Sequence, residues 1–237
     1  QWLVRGRPCG TRFVVLSLPR SGTTLLMDLM AQVPDVRCLG EVLNLAKLFP
    51  RIFMNNLAAT CGQDTFGCKV LAYQLLEVAW SRDALGLIRG LERDGFRFIF
   101  LERAVYGQSV SLLRAHSTGE YHAKAGRAGH APQPIDLPAD RFGAMLRWNA
   151  ASLDWLRLLM SAVPHLHLVY DRDLRDPAMH QATVNRACDW LGVPSGPVSA
   201  RFHVFTSGAE APARVANLDQ LRDVAIAEGF LEREGRA

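Results

Sequence analysis

The chain has 237 residues, 49% of them apolar and 21% charged, which is room for one sizeable globular domain and tight for two. The net charge of +4, from 27 basic and 23 acidic residues, suits a small anionic ligand and is too slight and dispersed to argue for nucleic acid. The longest apolar runs, 13–18 and 166–170, are strand-sized, so no membrane span is expected. Cys9, Cys38, Cys61, Cys68 and Cys188 form no CxxC pair and no metal-ligand pattern with the seven histidines; they read as reduced thiols of a cytoplasmic protein, with Cys38 and Cys68 buried in strands. The opening "QWLVRGRPCG" has neither Met nor an apolar signal core, so the start reads as trimmed, with any targeting segment lost with it. Lysine occurs only at Lys47, Lys69 and Lys124 among many arginines; a GC-rich genome accounts for the bias, and each lysine gains interest from its rarity.

Strand-like and helical runs alternate. "RFVVLSL" reads as the first strand and "TTLLMDLMAQV" as a helix; "DVRCLG" and "FGCKVLAY" read as the next strands. "RDALGLIRGLERDG" is an amphipathic helix ended by Gly95, "FRFIFLE" a strand of alternating pattern, and "QSVSLLRAHS" the start of a further helix. "ADRFGAMLRWNAASLDWLRLLMSAV" is a long helix with an apolar stripe, on which Trp148 and Trp155 read as core, as does Trp190 on a later helix. "HLHLVY" is another strand and "MHQATVNRACDWLGV" another helix; the tail turns helical near Leu218. The pattern implies an α/β fold with a parallel sheet covered by helices on both faces, as one domain over 1–237. The Ala/Gly/Pro-rich stretch 123–138 reads as an exposed loop.

The junction of the first strand and helix, "LPRSGTTLL", is built like a phosphate loop: strand, short polar loop, helix. Aligned on GxxxxGK[ST], Gly22 holds the last glycine, Ser17 replaces the first, Thr23 replaces the lysine and Thr24 keeps the hydroxyl. The positive charge has moved to Arg20. Backbone donors from Arg20 to Thr24 still converge on an anion, but the lysine of a nucleoside triphosphatase is gone, and no acidic strand end offers itself to Mg²⁺.

These residues resemble the 5′-phosphosulfate loop of sulfotransferases that use 3′-phosphoadenosine 5′-phosphosulfate (PAPS), which reads Pro-Lys/Arg-Ser-Gly-Thr/Ser-Thr/Ser, here Pro19, Arg20, Ser21, Gly22, Thr23 and Thr24. "FIFLERAVYGQSVSLLRAH" resembles the family's 3′-phosphate motif, an arginine at a strand end and a serine eight positions on, here Arg103 and Ser111. A guanidinium forks onto phosphate and a hydroxyl adds a donor; Ser109 is the alternative hydroxyl. "GQSVSLLRA", "FGCKVLAY" and "LVYDRDLRDP" are similar to wording in bacterial carbohydrate sulfotransferases of the trehalose or lipo-oligosaccharide type, over residues 12 to 191.

The resemblance implies a P-loop-like sulfotransferase fold and sulfuryl transfer from PAPS to a hydroxyl of a carbohydrate or small-molecule acceptor, releasing 3′-phosphoadenosine 5′-phosphate (PAP), with no metal. Arg20 is implied to steady the bridging and sulfuryl oxygens, and Glu41 in "CLGEVLN" to take the acceptor's proton, as the carbohydrate branch uses a glutamate after this strand. The plainer role for Glu41 is a carboxylate favouring a helix dipole; His116 and His122 are the histidine alternatives. Lys69, charged within a strand pattern, either reaches the ligand or snorkels to solvent. Asp171 reads as a cap or a partner of Arg172 or Arg175. Arg214 and Asn217 fall where the family's tail folds over the cofactor. Segments 42–66 and 118–138 are the expected acceptor walls; acceptor identity and oligomeric state, a homodimer included, stay open. The competing readings are a P-loop nucleotide kinase or NTPase and a non-catalytic PAP-binding protein.

Overall fold

The structure is a computed structural model, and it describes residues 9–78, 83–119, 134–201 and 215–232. His122, Lys124, Arg214 and most of the Ala/Gly/Pro-rich stretch lie outside the described residues. The chain divides into two compact units, 1–102 with 153–200, and 103–152 with 201–237.

The first unit is built on five parallel strands: β1 (Thr11–Ser17), β2 (Val36–Glu41), β3 (Thr65–Leu71), β4 (Phe96–Glu102) and β5 (His165–Val169), in the order β2-β3-β1-β4-β5. Their residues explain the arrangement. Phe13 to Ser17 in β1 and all of β3 are buried, as strands covered on both faces must be. The covering helices are α1 (Thr23–Met30), α2 (Pro50–Ala59) and α3 (Ala84–Arg93), joined later in the chain by α7 (His180–Leu191). Helix α1 packs on β2 and β3 and against α7, whereas α2 packs against α3 and α3 against β4. Right-handed crossovers running in opposite directions along the sheet put these two pairs on opposite faces. The predicted alternation of strand and helix is thus present. Helix α2, with Pro50 in its first turn, lies within the 42–66 segment, where the sequence pattern predicts no helix.

Two glycines fit the layers together. A Cβ on Gly67 would come within 2.1 Å of the Phe13 ring on the neighbouring strand, so the Phe-Gly step of β3 makes room for a fully buried phenylalanine. Gly40 is the extra residue of a β-bulge: Leu39 faces Cys68, but Glu41 faces Lys69.

After β5 the chain makes a short helix, α6 (Tyr170–Asp173), anchored by Asp173. This carboxylate, 1% exposed, accepts from the Val169 N–H at 2.7 Å, from Arg172 at 2.8 and 2.9 Å and from Arg186 on α7 at 2.9 Å. Arg172 therefore serves Asp173, and Asp171 pairs at 4.0 Å with Arg175 alone of its two predicted partners.

The second unit holds α4 (Val105–Thr118), most of α5 (Ala139–Met160) and α8 (Leu218–Ala227). Its core includes Val110, Leu113, Leu137, Phe142, Leu146, Val215, Leu221 and Ala225. The Asn217 amide donates to the Leu137 carbonyl and accepts from its N–H, at 2.8 and 2.9 Å, so this residue joins two stretches of backbone. Trp148 on α5 is 59% exposed, against the expectation of a core position; the stripe that is buried runs through Phe142, Leu146 and Leu153 instead. Trp155 and Trp190 are half-buried, and the Trp190 indole donates to the Phe98 carbonyl. All five cysteines are free; Cys68 is fully buried and Cys38 half-buried, and burial pushes the Cys38 thiol up to about 12.

Candidate functional site

Strand order reverses between β1 and β4, since β1 leads to β2 on one side and β4 to β5 on the other. Sheets of this kind bind ligands outside the C-terminal strand ends at such a point. The loop Leu18–Gly22 leaves β1 there and enters α1. Gly22 is the N-cap at φ 91°, a conformation that favours glycine, and a Cβ on it would meet the Tyr170 ring at 2.4 Å. Arg20 also stands in the left-handed region, at φ 65°, where a non-glycine residue is strained by about 1–3 kcal/mol. Gly22 has no side chain with which to cap the first N–H groups of α1, and the first turn carries no acidic residue. Those donors and the positive end of the helix dipole thus meet no carboxylate of the helix itself, which fits the residues to an anionic group. Ser21 and Thr23 are buried, while Pro19, Arg20 and Thr24 are half-buried.

Thr24 opens a second feature. Its Oγ1 accepts from the Lys69 ammonium at 3.2 Å, and the same ammonium pairs with Glu41 Oε1 at 3.2 Å. The bulge at Gly40 brings this about, because it sets Glu41 rather than Gly40 opposite Lys69. Lys69 is 7% exposed, so the charge in the strand is buried but paired, and does not snorkel to solvent. Glu41 Oε2 accepts from the Tyr73 hydroxyl at 2.9 Å and from Gln74 Nε2 at 3.0 Å. Gln74 is fully buried, and its Oε1 accepts from the Leu71 N–H at 3.0 Å. It begins a π-helical turn, Gln74–Val78, a local distortion frequent at functional sites. Sequence reasoning named Glu41 and Lys69 but missed Tyr73 and Gln74; "AYQLL" offers no periodicity that marks them.

In the second unit Arg103, 4% exposed, immediately follows β4. Its guanidinium lies 3.7 Å from where a Cβ on Gly107 would stand, along the first turn of α4. Ser111, 3% exposed, is one turn beyond Gly107, so arginine and serine share one side of the helix. The Ser109 hydroxyl is fully buried and accepts from Asn149 at 2.8 Å. His116 is exposed in the last turn of α4.

Residues 12–68, about a quarter of the chain, match the sequence profile of the sulfotransferase family. No curated protein matches the chain. Among solved structures, the sulfotransferase domain from the Synechococcus PCC 7002 olefin synthase aligns over 100% of this chain and 93% of its own, at 18% identity and a TM-score of 0.44. Mouse sulfotransferase SULT7A1, solved in complex with PAP, aligns over 98% of this chain and 69% of its own, at 10% identity and a TM-score of 0.49. At these values neither likeness carries an argument about chemistry. The family likeness rests on residues 12–68, which run from β1 through the loop and Glu41 to Cys68, one residue short of Lys69.

Proposed function

We propose that this protein is a PAPS-dependent sulfotransferase acting on the hydroxyl of a carbohydrate or small-molecule acceptor. The observation that carries the reading is the Thr24–Lys69–Glu41 chain, which ties the anion loop to a candidate base within two contacts of 3.2 Å. The family match over residues 12–68 supports it.

The donor brings an activated sulfuryl group on its 5′-phosphate. The loop from Pro19 to Thr24 binds that phosphate through backbone N–H groups and the α1 terminus, and Arg20 adds a permanent charge where negative charge grows. Arg103 and Ser111 read the ribose 3′-phosphate. Glu41 takes the proton of the acceptor hydroxyl. A carboxylate offers about four lone-pair sites; Lys69 engages Oε1, while Tyr73 and Gln74 engage Oε2, so Oε1 keeps room for the incoming proton. Thr24 stands where a P-loop hydroxyl binds Mg²⁺ in an NTPase, and here a lysine ammonium holds that oxygen. This contact favours sulfuryl transfer over the NTPase reading.

Glu41→Gln keeps the shape and the PAP shift in melting midpoint, but lowers turnover of labelled PAPS with a panel of alcohols by roughly 10²–10⁴-fold. Turnover within a few-fold of wild type would move the base elsewhere.

A further inference from the structure

The connections leaving β2 and β3 lie at the same sheet edge as the anion loop, and they carry apolar side chains that the core of the first unit does not use. Beyond Glu41, Val42 and Leu43 are buried and pin the chain. Leu45, Leu48 and Phe49 are then 67%, 66% and 68% exposed, and Ile52 in the first turn of α2 is 59% exposed. Leu76, two residues beyond Gln74, is 45% exposed. One exposed leucine is ordinary, but four large apolar side chains exposed within the eight residues 45–52 make an apolar patch, and Leu76 is exposed on the connection that leaves the neighbouring strand.

Both cations of this stretch have partners within the protein. Residues 42–59 contain no carboxylate. Arg51 forks onto Asp94, and the Lys47 ammonium lies 4.8 Å from the centroid of the Phe53 ring. Asn44 is the one uncharged polar side chain between Glu41 and Pro50. A bare sugar needs several hydrogen-bonding side chains, and an anionic membrane needs cations turned towards it; this stretch supplies neither. The patch exposes on the order of a few hundred Å², the footprint of one small apolar body and short of the roughly 800 Å² per partner of a stable protein interface.

We propose that the acceptor is an alcohol with an apolar body, alkyl or aryl, lying over residues 45–52 with its hydroxyl at Glu41. This rests on the reading of Glu41 as the acceptor base.

The test uses the full chain and a double variant, Leu48→Asn with Phe49→Asn, both at exposed positions. Turnover of labelled PAPS is followed with n-alkan-1-ols from butanol to decanol and with trehalose; binding of N-phenyl-1-naphthylamine, the PAP shift in melting midpoint and the sedimentation coefficient are measured beside it. In the wild type, kcat/KM is expected to rise about three- to fourfold per added methylene. In the variant the series flattens and the probe binds at least tenfold more weakly, while the PAP shift is unchanged. Overturning results are a flat wild-type series, trehalose turned over faster than every alkanol, equal probe affinity in the two proteins, or a dimer that the variant dissociates. Absence of a PAP shift in the wild type removes the sulfotransferase reading itself, whereas a normal shift with any of those results removes only the apolar acceptor.

Discussion

Arg20 separates two demands that usually coincide. Its backbone is left-handed, which costs stability, yet its side chain is the loop's one cation. A residue selected for folding at this position would be glycine. Strained backbone positions of this kind cluster at ligand-binding sites. Arg20→Gly is therefore expected to match or exceed the wild type in urea unfolding by up to about 1 kcal/mol, while turnover falls by roughly 10²–10³-fold. Loss of stability and activity together would make Arg20 a structural residue. Gly22 admits no such trade, because both its φ and the Tyr170 ring at 2.4 Å from a Cβ require glycine.

At the scale of elements, the site depends on one irregularity in a regular sheet. The Gly40 bulge turns Glu41 to face Lys69, and the π-helical turn after β3 delivers Gln74 to the same carboxylate. On the far side, α6 and α7 are joined through Asp173. Burial pushes the Asp173 carboxyl up, but Arg172, the Val169 N–H and Arg186 outweigh that and hold it at about 2. A carboxyl held below its ordinary 3.8 adds stability that is fully present above about pH 4 and is lost as pH falls through 2. The contribution is on the order of 2 kcal/mol. Urea midpoints measured from pH 5 to pH 2 should fall more steeply for wild type than for Asp173→Asn. Parallel curves would place the acid sensitivity in other groups.

Across the whole molecule, legibility followed periodicity. Strand β1 announces itself by consecutive apolar residues and β4 by its alternating pattern, and the six-residue motif Pro19–Thr24 is local in sequence. Glu41, Lys69, Tyr73 and Gln74 converge from positions 41 to 74 through a bulge and a non-standard turn, neither of which leaves a periodic trace. Helix α2 escaped because its N-terminus has no polar cap and its approach is apolar. Trp148 went wrong for a different reason: a long helix offers several stripes, and packing decides which one is buried. The proposal stands or falls on whether the protein selects a nucleotide with a 3′-phosphate. Thermal unfolding with PAP, ADP and ATP–Mg²⁺ at equal concentration tests it most directly. At about 100 times its dissociation constant a ligand adds roughly 2.7 kcal/mol. PAP is expected to raise the midpoint while ADP and ATP–Mg²⁺ change it little; a rise with ATP–Mg²⁺ and none with PAP would rule out selection of the 3′-phosphate.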